Sequence, residues 1–310
     1  MEISQLYTYP IKSLRGTSIK DGILTKHGFP YDRRFMLLKA HPDRSENMLV
    51  AHFPVMTLFM TDIMYPENDD FGIGAIFVTY KAPESTEHKK LKIPLLPDTS
   101  DLEVIDVIMH DSATKAFKMP SKYNDWFSSC FGYDVVLAYL GPYLRPVLFE
   151  TAANGQSRRD GITFADCSPY LVVSEKSLEN VSARLPDGEE MDITKFRPNI
   201  IIKGAERPWE EDFWGAIRLG DAEIVLRHNC VRCQSINIDY ATGKPGTGEA
   251  GAVLKKLQKD RRVDKGAKYS PVFGRYGFLD PKDNAKRVAV GDEVVVTKAN
   301  PERTTWNWKG

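Results

Sequence analysis

Cysteine is scarce in this chain, four residues in 310. A disulfide scaffold is therefore excluded, since small secreted frameworks need many paired sulfurs. An excess of either charge is also missing: 42 Lys and Arg balance 42 Asp and Glu. Without it there is no bulk attraction to nucleic acid or to an anionic membrane, although a local basic pocket is still allowed. No apolar run approaches the ~18 residues that span a bilayer. The start, MEISQLYTYPIKS, lacks the apolar core of a signal peptide and the Arg/Ser-rich character of a transit peptide. The expectation is a cytoplasmic protein with no nucleic-acid partner and no membrane segment. No internal repeat or low-complexity tract is visible.

Present instead are many short runs rich in β-branched and aromatic residues, set between turn signals. ISQLYTYPI, RRFMLLKA, GAIFVTYK, LEVIDVIM, DVVLAYL, NIIIKG, AEIVLRH, QSINIDY and EVVVTK all read as strands. Three helices stand out. In SKYNDWFSSCFG, the residues Tyr123, Trp126, Phe127, Cys130 and Phe131 form one stripe of period 3.6, and Gly132 suits the position after the helix. In SEKSLENVSARLPDG, Ser174 can cap the start, Leu178, Val181 and Leu185 form the stripe, and Pro186 stops it. GAVLKKLQKDRR is the third, more exposed. Many strands with few helices predict a mainly β (α+β) protein built of barrel-like units. The turn-rich stretch GPYLRPVLFETAANGQSRRDG suggests a boundary near residues 141–160, giving units 1–145 and 146–310.

Two of the cysteines, Cys230 and Cys233, stand two residues apart in LRHNCVRCQSINIDYATGKPGTGEAG. A structural zinc site needs about four ligands, and here only His228 lies near the pair. A thioredoxin-type dithiol needs its pair at a helix N-terminus, whereas QSINID alternates like more strand. GTGEAG satisfies G-x-G-x-x-G, but the polar DYATGKP before it is not the buried strand that a dinucleotide site requires. ATGK also fails the phosphate-loop spacing. What remains is one functional thiolate, Cys233, beside Arg232, whose guanidinium would favour the charged form.

Six stretches, in one order, then carry a resemblance: YPIKSLRG, DRRFML, DCSPYLVVSEKSL, FRPNIII, CVRCQSINIDYATG and SPVFGRYGFL. From about Ile3 to Val296, the chain resembles the MOSC-domain proteins that carry an N-terminal MOSC β-barrel domain, and is similar to the mitochondrial amidoxime-reducing components. The resemblance implies an N-terminal MOSC barrel-like domain and a C-terminal MOSC β-barrel. A molybdenum cofactor, a pyranopterin dithiolene with a terminal phosphate, would lie in the cleft between them. It makes Cys233 the molybdenum ligand and catalytic residue, and Cys230 not a ligand. Lys12, Ser13 and Arg34 would contact the cofactor from the first domain. Asp166, Cys167, Ser168, Arg197, Asn199, Val231 and Arg232 would contact it from the second. The donor set suits the group, since guanidinium, ammonium and hydroxyl groups bind phosphate, while amide and carboxylate groups bind a pterin edge. Cys167 stands where the family often has threonine, so a backbone contact would substitute there.

The implied activity is removal of oxygen from small N-hydroxylated compounds such as amidoximes, hydroxylamines and N-hydroxylated bases. Electrons would come from an external donor, in the family's eukaryotic members a cytochrome b5 with its NADH-dependent reductase, because no haem or flavin motif is evident. The alternative is a molybdenum cofactor carrier without turnover, as in the MOSC-like part of molybdenum cofactor sulfurases. No residue of the sequence identifies the proton donor.

Overall fold

The computed structural model describes residues 1–66, 74–83, 85–149 and 161–309. Its first strand, Glu2–Thr8, pairs both with the next strand and with one far along the chain. It runs antiparallel to Ile200–Lys203 on one side and to Thr17–Ile19 on the other. It is thus part of an eight-stranded sheet ordered Thr17–Ile19, Glu2–Thr8, Ile200–Lys203, Tyr170–Ser174, Val272–Leu279, Ala222–Val231, Trp214–Leu219 and Val294–Ala299. The two ends of the sheet approach each other. Ile3 N–H donates to the Asp292 carbonyl and Val294 N–H to that of Met1, both at 2.9 Å, so the sheet curls into a nearly closed barrel.

Every residue of Val272–Leu279 is buried, because both faces of this central strand are covered. An apolar cluster including Ile3, Leu6, Tyr170, Ile200, Ile217, Ile224 and Leu279 fills one side. Phe273, Tyr276 and Phe278 face another, built with Val181, Phe196, Leu257 and the partly buried Trp306 and Trp308.

The first barrel-like unit joins a five-stranded sheet, ordered Ser45–Asn47, Phe35–Ala40, Val135–Tyr139, Ser112–Lys118 and Val104–Met109, to a three-stranded one, Phe59–Met64, Ala75–Tyr80 and Lys89–Pro94. The segment 11–15 stitches them. Lys12 N–H donates to the Phe35 carbonyl at 2.8 Å and Arg15 N–H to that of Phe59 at 2.9 Å. Helix α1, Ser121–Phe131, lays Tyr123, Phe127 and the partly buried Trp126, Cys130 and Phe131 on the shared core. It ends where Gly132 adopts φ +79°, the left-handed conformation that glycine takes without a Cβ clash. Helix α2, Glu175–Ser182, starts at Ser174, whose side chain accepts the Lys176 N–H. Helix α3, Val253–Gln258, is shorter than expected. None of these helices is long and apolar enough to cross a membrane.

The architecture is the mainly β, two-barrel one expected, with two local differences. QSINIDY is not a strand throughout: Gln234–Asn237 form a 3-10 turn and only Ile238–Asp239 extend, paired with Lys244–Pro245. Its alternating apolar residues enter two different cores, Ile236 the second barrel's outer cluster and Ile238 the first barrel's. Packing also does not follow the 1–145 and 146–310 halves strictly, since the first strand lies in the later barrel. Much of the expected boundary at 141–160 falls outside the described residues. On its near side, fully buried Arg145 donates to the carbonyls of Met109 at 2.8 Å, Thr163 at 3.2 Å and Asp166 at 3.0 Å. It also donates to the Ala165 carbonyl. Burial pulls its guanidinium down to about 10.

A fragment of residues 146–310 lacks the strand that pairs with Ile200–Lys203 and helps close the barrel. It should give no cooperative thermal transition and a collapsed near-ultraviolet circular dichroism signal. A sharp transition in both probes would show that the later barrel closes without Glu2–Thr8.

Candidate functional site

Three of the sequence motifs meet at one buried carboxylate. Asp32, only 1% exposed, accepts the Tyr9 N–H at 2.8 Å, Arg33 Nη1 at 2.6 Å and Asn199 Nδ2 at 3.3 Å. Arg33 in turn donates to Asn199 Oδ1 at 3.2 Å and to the Arg197 carbonyl at 3.1 Å. Its guanidinium lies 4.5 Å from the centre of the Tyr9 ring, and Arg197 lies 4.5 Å from the same ring. YPIKS, DRRF and FRPN, far apart in the chain, are thereby locked into one wall.

Arg197 itself adopts φ +57° at the end of the 3-10 turn Ile193–Phe196, a conformation that costs a non-glycine residue about 1–3 kcal/mol unless its surroundings hold it. Burial pulls its pKa below the ordinary guanidinium value, with the hydroxyls of Tyr240 and Tyr9 pulling back. Its Nη2 is buried with no hydrogen-bond partner, and no carboxylate among the described residues pairs with it. A buried cation without an anion is costly, so this guanidinium is the group in the cleft that calls for one.

Across from it stands Asp166, ion-paired with buried Lys12 and 3.3 Å from His110 Nε2. Desolvation pushes the carboxyl up, but Lys12 and His110 outweigh it and hold Asp166 well below the usual carboxylate range. Burial likewise pulls the Lys12 ammonium down against the pull of Asp166.

The cysteine pair divides. Strand Ala222–Val231 ends just before the turn, leaving Cys233 exposed with Sγ 3.2 Å from Ser235 Oγ. Cys230 is buried beside Tyr276, and burial pushes its thiol up. Cys167 is buried in the apolar cluster, its thiol also pushed up by burial. His228 stacks on Phe149 at 3.8 Å between ring centres. Among the described residues no group of three His, Cys, Asp or Glu could hold a metal ion.

Of the residues named from sequence, Asp166, Ser168, Arg197, Asn199, Val231, Arg232 and Cys233 line one cleft. Lys12 joins through Asp166, and Ser13, with φ +68°, turns the chain beside it. Arg34 is not among the lining residues: its Nη2 donates to the Gly141 carbonyl, and its guanidinium faces Tyr139. Arg33 takes that place, together with Lys195 and Tyr276. The guanidinium of Arg232 turns inward rather than toward Cys233. It donates to the carbonyls of Phe196 at 2.8 Å and Phe273 at 2.5 and 2.9 Å, bracing the wall. The glycines of GTGEAG serve their own loop, since a Cβ on Gly251 would stand 2.0 Å from the Gly246 carbonyl oxygen.

Fold and cleft together define a two-barrel protein whose facing walls share one cationic site with a single open thiol. The MOSC N-terminal beta barrel domain matches residues 1–134 and the MOSC domain residues 159–295. The chain belongs to the MOSC-domain family that carries the MOSC N-terminal barrel. It is 27% identical over 301 residues to mitochondrial amidoxime-reducing component 1 of Mus musculus, covering 94% of this chain and 81% of that protein. To the Homo sapiens protein of the same name it is 26% identical over 298 residues, covering 94% and 82%. It is also 28% identical over 255 residues to a molybdenum cofactor sulfurase of Oryza sativa subsp. japonica, covering 79% of this chain but 29% of that protein.

The unequal burial of the thiols predicts their reactivity. In native protein, Cys233 should react with Ellman's reagent in a fast phase that Cys233→Ser removes, half-buried Cys130 in a slower one, and Cys167 and Cys230 only on unfolding. A fast phase that survives in Cys233→Ser would contradict the exposure seen here.

Proposed function

We propose that the cleft holds a molybdenum cofactor and serves the reduction of small N-hydroxylated compounds such as amidoximes. The observation that carries this is the pairing of the Arg197 guanidinium, whose buried Nη2 has no partner and which no carboxylate among the described residues neutralises, with one exposed thiol in the same cleft. The residues present suit the group. Arg197 and Arg33 offer charge-assisted donors for a phosphate, Asp166 offers a partner for a pterin edge, and Cys233 offers a soft ligand. When bound, the cofactor supplies the two-electron redox chemistry.

The chain's own residues do the positioning. Cys233 would hold the metal at the open end of the cleft, where a small substrate can reach it. The Asn199 amide accepts from the Leu171 N–H and from Arg33, both at 3.2 Å, and donates to the Tyr7 carbonyl and Asp32, so it would act by bracing the wall that carries Arg197. Cys167, buried as a neutral thiol, would contribute through its backbone. Arg33, rather than Arg34, is the arginine of DRRF that faces the cleft. In the overall reaction an amidoxime, two electrons and two protons give an amidine and water, and the electrons come from an external carrier. The relationship to sulfurases favours a second reading, a cofactor carrier without turnover.

Metal analysis of protein made in a cofactor-competent host, followed by amidoxime reduction with reduced viologen, separates the two. Turnover supports the reductase; molybdenum without turnover supports the carrier; zinc or no metal defeats both. Cys233→Ala should keep part of the pterin and lose all reduction, whereas Cys230→Ala should keep molybdenum and most activity. Equal loss in both variants would refute the single-ligand assignment. Arg197→Ala should weaken cofactor retention by about tenfold to a hundredfold, since a charge-assisted contact contributes about 1.5–3 kcal/mol. NADH without a carrier should give no turnover.

A further inference from the structure

We propose that the face formed by α3 and the loop after it, residues 253–270, is the docking surface for an acidic electron-carrier protein. The inference rests on the reductase reading and deepens it by naming where the external electrons enter.

The chain is neutral overall, yet 253–270 holds seven Lys and Arg against two Asp. Neither Asp offsets the exposed cations. Asp260 pairs with Arg184, and buried Asp264 accepts from Asn229. Of the cations, Arg261 turns inward to Asp212 and Lys256 pairs with Glu249. Lys255, Lys259, Arg262 and Lys268 are exposed, and none makes an ion pair among the described residues. Beside them Tyr269 is 82% exposed, an aromatic of the kind that anchors protein interfaces. The apolar residues of α3, Val253 and Leu257, are buried beneath, so the helix itself has no apolar stripe to lay into a bilayer.

Position links this face to the thiol. At one end the Leu254 N–H donates to Asn237 Oδ1 at 2.9 Å, in the turn that begins at Cys233. At the other, the Pro271 carbonyl accepts the Arg232 N–H at 2.8 Å. Both ends are thus pinned to residues flanking Cys233, and a carrier seated between them lies against the open end of the cleft. Two one-electron deliveries with two protons match one oxygen removed as water. Unpaired cations around a contact surface speed encounter with an acidic partner and make it salt-dependent.

The test uses the full chain and two reduced acidic carriers of unlike fold, a flavodoxin and a cytochrome b5 haem domain. Binding is measured by calorimetry at low and physiological salt, with and without cofactor in the chain, and turnover is measured with carrier and with viologen. The joint variant Lys255→Glu, Lys259→Glu, Arg262→Glu and Lys268→Glu should weaken carrier binding on the order of tenfold or more and flatten its salt dependence. Its viologen-driven rate should match wild type. Tyr269→Ala should weaken binding without changing the salt dependence. Lys90→Glu with Lys92→Glu, exposed on the first barrel, controls for net charge and should change neither. The proposal is overturned if wild type binds neither carrier, if the charge-reversed variant binds as well as wild type, or if the face prefers phosphatidylserine vesicles or single-stranded RNA. Charge-dependent carrier binding with no viologen turnover in wild type would defeat the reductase reading and leave the docking face standing.

Discussion

Asp32 is the group on which the arrangement depends. A carboxylate 1% exposed must be fully paired or it unfolds its surroundings. Its partners come from three separate parts of the chain: the Tyr9 backbone, Arg33 and Asn199. Satisfying one anion therefore fixes the exit of the first strand, the entry into Phe35–Ala40 and the turn carrying Arg197. Once these are fixed, Arg33 and Arg197 are both held over Tyr9. The cationic wall is a by-product of a buried acid finding its donors. Arg33 is neutralised by Asp32, whereas Arg197 has no carboxylate paired with it among the described residues, so this wall keeps one uncompensated guanidinium.

Much of this was legible in the sequence, and the parts that were not have physical reasons. Helix α1 was visible because its stripe faces one core and Gly132 ends it. Cys233 stood out in the sequence once chemistries that need two cysteines were removed, and the structure leaves its thiol exposed in the cleft. That Arg33 and not Arg34 lines the cleft was not legible because the backbone there is irregular: Arg33 adopts φ +50°, which redirects the side chains that a strand pattern would alternate. QSINIDY misled for another reason. Period-two alternation signals a strand only when its apolar residues face one core, and Ile236 and Ile238 face two. Tyr9 and Tyr276 lie inside the stretches YPIKSLRG and SPVFGRYGFL but were not singled out, since core aromatics share their spacing, and Lys195 carries no local signal at all.

Whole-chain averages hid the same kind of detail. Equal numbers of acidic and basic residues describe the far field, where charges sum, but not the contact surfaces, where they are sorted. Buried Asp212 and Asp264 contribute to the sum, yet they are neutralised inside the barrel by Arg261 and hydrogen-bonded by Asn229. Internal carboxylates balance external lysines in the tally without shielding them at the surface.

The pairing of Glu2 with Lys203 and of Leu6 with Ile200 also sets a timetable. A ribosome makes the first strand early and its main partner about two hundred residues later, which at typical synthesis rates is a wait of roughly 10–40 s. Thr17–Ile19 pairs with one edge of that strand, Leu6 against Ile19, and can do so almost as soon as both have emerged. The other edge stays open, with unpaired backbone groups that attract any free strand. Nascent chains of this protein therefore pass through a long interval with one adhesive edge on that strand, and crowding of translating ribosomes is the condition under which its yield is most exposed to loss.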